Sequence, residues 1–252
     1  MKIGIQIIAY NCESTFEKLI EPWLKVKDKY DIQIWVGSGQ FKIYQEMGCE
    51  NLNSPTIELL NTLLDKGSID FLFQPDPDNL LGDHTTRNKC IWWMKENDID
   101  LMIQLDADEF YSDKDVINYF ESIMSHQEYD SYNTIFNNLI HDTSEDWSRF
   151  SAAWIKRYGG ISDYYYDAHF SFIGHDNPTK ERGEKNIEYR WVKNIEIPKD
   201  LVHPFHYTWS NIVRTTGPSH IKEKIEYQKR YYNIKDGCGY KWNEDHNKVE
   251  KI

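Results

Sequence analysis

Residues 99–110, Ile99-Asp100-Leu101-Met102-Ile103-Gln104-Leu105-Asp106-Ala107-Asp108-Glu109-Phe110, run a short apolar segment into a cluster of three acids. An apolar run of this length predicts a strand buried on both faces, and such strands belong to parallel sheets covered by helices. In an open α/β sheet the ligand crevice lies beyond the carboxyl ends of the strands, so this strand delivers its terminal acids to the crevice. Asp106 and Asp108 are two residues apart, a spacing that in an extended segment puts both carboxylates on one side, ready to share a hard cation. Glu109 then faces elsewhere or joins from the turn. The competing reading is a helix-capping or surface acid cluster. Against it, two carboxylates closing an apolar strand without a counter-ion would carry a large desolvation cost.

Upstream, strand and helix patterns alternate, as in βαβ units around a mostly parallel sheet. Ile3 to Ala9 is the first strand, ending at Tyr10-Asn11. Ser14 and Glu17 have the spacing of a capping box for a helix with Phe16, Leu19, Ile20, Trp23 and Val26 inward, in which Pro22 predicts a kink or a split. Asp31 to Val36 is the second strand, closed by Gly37-Ser38-Gly39. Ser54 as N-cap, Pro55 at the first helical position and Gly67 past the end frame a helix burying Ile57, Leu59, Leu60, Leu63 and Leu64. Ile69 to Phe73 is the third strand. Gln74-Pro75-Asp76-Pro77-Asp78-Asn79 then forms a loop, followed by a helix from about Thr85 to Glu96. Beyond the acids, Ser112 with Asp115 opens a helix over Val116 to Met124.

After Tyr129 the pattern changes to short aromatic strands, Ser131 to Phe136, Ala152 to Tyr158, Ala168 to Ile173 and Tyr189 to Val192, with a last helix over about Ser219 to Tyr232. The fold class is therefore α/β, a mostly parallel sheet flanked by helices with a mixed or antiparallel C-terminal half. Residues 1–125 form the first half, 126–235 the second half of the same domain, and 236–252 a loosely held tail.

A chain of 252 residues buries a sizeable core without staples. A net charge of −12 argues against nucleic acid as a partner, because phosphate-backbone affinity comes from clustered Lys and Arg. The four cysteines include no C-x-x-C pair and read as reduced thiols of a cytoplasmic protein. No apolar run approaches the ~18–20 residues of a membrane span, and Ile3 to Ala9 is too short for a signal-peptide core, so no integral membrane segment is expected. Nine Trp and seventeen Tyr are more than a core alone usually requires, and each ring reads either as a face that stacks on sugars or bases or as a large core residue with a polar handle.

Three features together resemble the nucleotide-sugar-binding half of GT-A fold (Rossmann-like) glycosyltransferases, especially the family 2 type, over residues 1–125. They are the first strand ending in Ala9-Tyr10-Asn11, Arg87-Asn88 opening the helix before the fourth strand, and Leu105-Asp106-Ala107-Asp108-Glu109. The resemblance implies metal-dependent transfer of a sugar from a nucleotide-diphosphate donor to a glycan, lipid or protein acceptor. It implies Mn²⁺ or Mg²⁺ ligated by Asp108, with Asp106 at the ribose or a metal-bound water, Arg87 near the pyrophosphate, and Tyr10 flanked by Ala9 and Asn11 at the base. Members usually carry an acid at the end of strand two. This chain has Val36-Gly37-Ser38-Gly39-Gln40, so Ser38 is the hydrogen-bonding candidate and the nucleotide stays open.

Many metal-dependent members also bring a C-terminal histidine to the metal. In His203-Pro204-Phe205-His206 the choice is His206 with His203 in reserve, the alternative being a histidine satisfied within an aromatic strand. Arg214, His220 and Lys222 follow as groups able to neutralise the leaving diphosphate, or as solvated surface side chains. An inverting transfer needs a carboxylate base, for which Asp163 and Asp167, set among Tyr164-Tyr165-Tyr166, are candidates and Asp142 a third. Stereochemistry is open. Two other readings remain. A nucleotidyltransferase is disfavoured because Ala9-Tyr10-Asn11-Cys12-Glu13 lacks a glycine-rich basic loop, and a non-catalytic carbohydrate-binding protein would use the aromatic rings alone.

Overall fold

The computed structural model describes residues 1–10, 12–38, 54–74, 83–140, 143–155, 164–167, 171–174, 194–209, 240–243 and 248–251. Strand β1 (Ile3–Ala9) lies between β2 (Ile32–Ser38) and β4 (Leu101–Asp106) and runs parallel to both, with β3 (Phe71–Phe73) parallel to β2 at the edge. Every residue of β1 is buried, as its unbroken apolar pattern requires.

Helices α1 (Phe16–Leu24), α2 (Lys27–Tyr30), α3 (Ser54–Asp65), α4 (Asp83–Glu96) and α5 (Asp113–Ser125) alternate with these strands. Ile3, Ile5 and Ile7 pack into one core with Phe16, Leu19 and Trp23 of α1, Leu60 of α3 and Tyr119 and Phe120 of α5. A second core holds Trp35, Met102, Phe150 and Ala153 with Ile91 and Met94 of α4. Trp23 has no exposed surface and meets Tyr111, Tyr119 and Phe120 edge-on at 5.1, 6.2 and 5.9 Å. Burying a side chain of this size contributes about 1.5–3 kcal/mol, so the sheet is clamped firmly between its helices.

The capping signals have different outcomes. Ser112 and Asp115 form the reciprocal box at the start of α5. Gly67, at φ +71°, ends α3, with the Ser68 N–H donating to the Leu63 carbonyl. The box expected of Ser14 and Glu17 does not form: Thr15 is the N-cap, without a side-chain capping bond. The N–H groups of Thr15 and Phe16 donate instead to the Cys12 carbonyl, in a turn whose Cys12 N–H is held by Thr56 Oγ1. A tertiary contact to α3 has displaced the local cap. Helix α1 runs through Pro22 to Leu24 and the chain turns before α2, so the expected break falls after the proline.

In the second half, β6 (Ser131–Ile140) and β7 (Thr143–Trp154) form a long antiparallel pair, and β7 pairs antiparallel with β4. The sheet is thus continuous across residue 125. Strand β7 starts at Thr143, well before the expected Ala152. On the other edge of β6, β10 (Asn194–Ile197) and β11 (Phe205–Trp209) both run parallel to it, and β11 also pairs antiparallel with the short β5 (Glu109–Phe110).

Strands β8 (Tyr164–Asp167) and β9 (Ser171–Gly174) form a separate hairpin, and β8 runs beside α4. The segment expected as a loose tail contains a second hairpin, β12 (Tyr240–Asn243) with β13 (Lys248–Lys251), because its residues satisfy each other's backbone groups. The expected strand 189–192 and helix 219–232 lie outside the described residues. Among those described, no helix is long and apolar enough to cross a membrane.

Candidate active site

Strand β4 ends at Asp106, Ala107 and Asp108 form a turn, and β5 begins at Glu109. The two aspartates are therefore related by a turn, not by extended spacing. Glu109 joins them: its Oε2 accepts the Asp106 N–H at 2.9 Å, which folds the third acid back onto the first. The sheet register puts Ile8 opposite Asp106 and Ala9 opposite Ser38, so these residues share the carboxyl edge of the parallel strands.

Arg87 reaches this edge from α4. Its own carbonyl accepts from Gln6 Nε2 of β1 at 2.6 Å. The helix comes close because residue 37 is glycine: a Cβ there would stand 2.6 Å from Thr86 Cγ2. The Arg87 guanidinium donates through Nη2 to Asp106 Oδ1. From β7, Arg149, only 4% exposed, donates through Nη2 to Asp106 Oδ2 at 2.8 Å and through Nη1 to Glu109 Oε1. Its guanidinium carbon lies 5.8 Å from the Phe136 ring centre and 5.5 Å from that of Trp147. His206 stands opposite Glu109 in the β11–β5 register, with Nε2 3.5 Å from Asp108 Oδ2 and 3.2 Å from Arg149 Nη1.

The charges balance locally. Burial raises the Asp106 carboxyl, but Arg87 and Arg149 outweigh it and hold the group below the usual carboxylate range. Burial pushes Glu109 up to about 8, against the downward pull of Arg149. Burial lowers Arg149, yet Glu109 and Asp106 together hold it above its ordinary value, so it stays charged. Burial lowers His206 more than Asp108 raises it, so its imidazole is neutral at neutral pH.

The side chains of Arg87, Asp106, Asp108 and His206 are thus brought together. His203 is not among them: its Nε2 lies 2.9 Å from Asp146 Oδ1, at the surface, where Lys199 also meets Asp146. Ser38 is fully buried and donates its hydroxyl to the Ala9 carbonyl at 2.8 Å, which ties β1 to β2 and commits that proton to the backbone. Tyr10 follows β1 at a bend, half-buried. Asp167 ends β8, a strand beside α4. Asn11, Asp142, Asp163, Arg214, His220 and Lys222 lie outside the described residues. Sequence reasoning missed Arg149. Its signal was a lone cation between Trp147 and Phe150 in a run continuing into Ala152-Ala153-Trp154, since an arginine in a buried strand requires a carboxylate partner.

Among the described residues, no group of three or more His, Cys, Asp or Glu is arranged to hold a metal by itself. Both Asp106 oxygens are engaged by guanidiniums, while Asp108 Oδ2 and His206 Nε2 are adjacent potential ligands, 3.5 Å apart, with Arg149 Nη1 3.2 Å from that nitrogen. A carboxylate oxygen with a neutral imidazole suits Mn²⁺, and such ions are commonly completed by substrate phosphates and water. The residues fit an ion shared with a diphosphate better than a closed protein site.

No protein-family model matches the sequence, and nothing among the curated proteins matches it. Solved structures similar to it include GT-A-type glycosyltransferases. The mannosyltransferase PcManGT from Pyrobaculum calidifontis, in complex with GDP-Man and Mn²⁺, is 9% identical with a TM-score of 0.48, over 89% of this chain and 61% of that one. S. aureus TarS 1-349, in complex with UDP-GlcNAc, is 14% identical with a TM-score of 0.41, over 55% of this chain. This chain spans 35% of that TarS chain. A 4-diphosphocytidyl-2C-methyl-D-erythritol synthase from Anaerococcus prevotii is 11% identical with a TM-score of 0.40, over 62% of this chain and 72% of that one.

Proposed function

We propose that this chain transfers a sugar from a nucleotide-diphosphate donor to a glycan, lipid or protein acceptor, with a divalent cation, Mn²⁺ or Mg²⁺, at Asp108 and His206. The observation that carries this reading is the convergence of Asp106, Asp108, Arg87 and His206 at the carboxyl edge of the central parallel strands, where α/β sheets take their ligands. When bound, the ion would stabilise the negative charge left on the diphosphate as the anomeric bond breaks.

Asp108 contributes the carboxylate and His206 a nitrogen lone pair, kept free of a proton by burial. Asp106 is held in place by two guanidiniums for a hydrogen bond to the donor ribose or a water, and Arg87 brings positive charge beside the diphosphate. Ala9, Tyr10 and Asn11 flank the base. Trp147, 38% exposed and 5.9 Å from His206 between ring centres, offers an aromatic face to a sugar ring beside the same acids. Asp163 or Asp167 serves as the base of an inverting reaction, and Lys222 meets the leaving diphosphate.

The test is a thermal-shift panel of nucleotide sugars with and without Mn²⁺. A ligand at ~100 times its dissociation constant stabilises by about 2.7 kcal/mol, an easily read shift. Stabilisation by a nucleotide sugar that requires the cation supports the reading. Preference for a nucleoside triphosphate, with pyrophosphate release, would indicate a nucleotidyltransferase instead. Glycan binding with no nucleotide would indicate a carbohydrate-binding protein.

A further inference from the structure

Arg149 lies at the centre of the acid cluster. Its two terminal nitrogens reach two different carboxyl groups, those of Asp106 at 2.8 Å and of Glu109, and Nη1 also stands 3.2 Å from His206 Nε2. The guanidinium is planar and rigid, and its orientation is set by the Phe136 and Trp147 rings. Its strand, β7, pairs with β6 at this point, with Arg149 opposite Thr134, and with β4 at residues 152–154. The β6 pairing limits the group's freedom to withdraw.

We propose that Arg149 is a positioning residue that serves as the resident cation of this cluster. It bridges Asp106 and Glu109 and leaves Asp108 with His206 as the pair that takes a divalent ion together with a diphosphate. The reason is electrostatic. A dication entering alone would approach two buried guanidiniums, Arg87 and Arg149, and would compete with Arg149 Nη1 for the Nε2 of His206. A diphosphate brings enough negative charge to offset both guanidiniums and the ion. Removing Arg149 would leave Asp106 and Asp108 facing one another with Arg87 as the remaining guanidinium among these groups, an arrangement that recruits a hard cation without any nucleotide.

The inference concerns the acids of the proposed donor site, but its readout is Mn²⁺ binding in the absence of nucleotide, so it stands or falls separately from sugar transfer. Mn²⁺ is titrated into the full chain by calorimetry, with melting temperature followed in parallel. Wild type is expected to bind Mn²⁺ alone only weakly, in the millimolar range. Arg149→Gln is expected to bind it at least tenfold more tightly and to regain in Mn²⁺ the melting temperature it loses without it. Arg149→Lys, which keeps the charge, should stay at the wild-type affinity. A merely structural arginine would lower the melting temperature equally with and without Mn²⁺. Equal Mn²⁺ affinity for folded wild type and Arg149→Gln overturns the proposal, as does a gain in Arg149→Lys matching that of Arg149→Gln. If Arg149→Gln does not fold, micromolar Mn²⁺ binding by wild type without nucleotide also overturns it.

Discussion

Asp108 faces a neutral imidazole while Asp106, two residues earlier, is held by two guanidiniums, so the two acids are chemically unlike despite their proximity. Asp108→Asn keeps the size of the side chain and removes its charge. Loss of a direct ligand should exceed the ~10–100-fold loss typical of outer-shell substitutions, and is expected in Mn²⁺-dependent donor hydrolysis while the metal-free melting temperature holds or rises. Wild-type hydrolysis by the mutant would end the metal assignment. Cys90 gives a second test at this scale. It is buried on the side of α4 that packs near Gly37, and its thiol is pushed up to about 12 by that burial. Burial thus keeps the thiol protonated and out of reach at pH 8, so iodoacetamide should leave Cys90 unlabelled in native protein and modify it on unfolding, as located by mass spectrometry.

Two glycines carry different element-scale constraints. At Gly67 a Cβ would meet nothing within 4 Å, but φ is +71°, so Gly67→Ala tests backbone conformation alone. It should cost about 1 kcal/mol in urea unfolding, through the left-handed penalty. At Gly37 the obstacle is packing. Gly37→Ala drives a methyl against Thr86 and should cost about 1–3 kcal/mol, displacing the turn of α4 that carries Arg87. Thr86→Ser removes the opposing methyl, so the double mutant should recover most of the loss; additive losses would show that α4 is not set by this contact. The capping signals explain why elements were only partly legible. Ser112 and Asp115 are three residues apart and need nothing else, whereas Ser14 and Glu17 yield to a turn held by Thr56, over forty residues away.

For the whole molecule, native hydrogen exchange should be slowest in β1 and β4, buried centrally in the sheet, and faster in the two-stranded hairpins β8–β9 and β12–β13. Two-stranded units are marginal by themselves, so they should open before the sheet does. Exchange of the hairpins as slow as that of β1 would show that they are integral to the main cooperative unit.

The sequence by itself determined the alternation of strands and helices up to α5, the burial of β1 and β4, and the delivery of Asp106 to a strand end. Apolar periodicity and short-range caps act between near neighbours and can be read in a single window. Only the tertiary structure decided which groups meet those acids. Arg149 reaches Asp106 and Glu109 because β7 folds back antiparallel beside β4, and His206 stands opposite Glu109 because β11 turns to pair with β5. Sheet register over such separations is set by the joint requirement to pair backbone groups and neutralise buried charge, which no local stretch of sequence encodes.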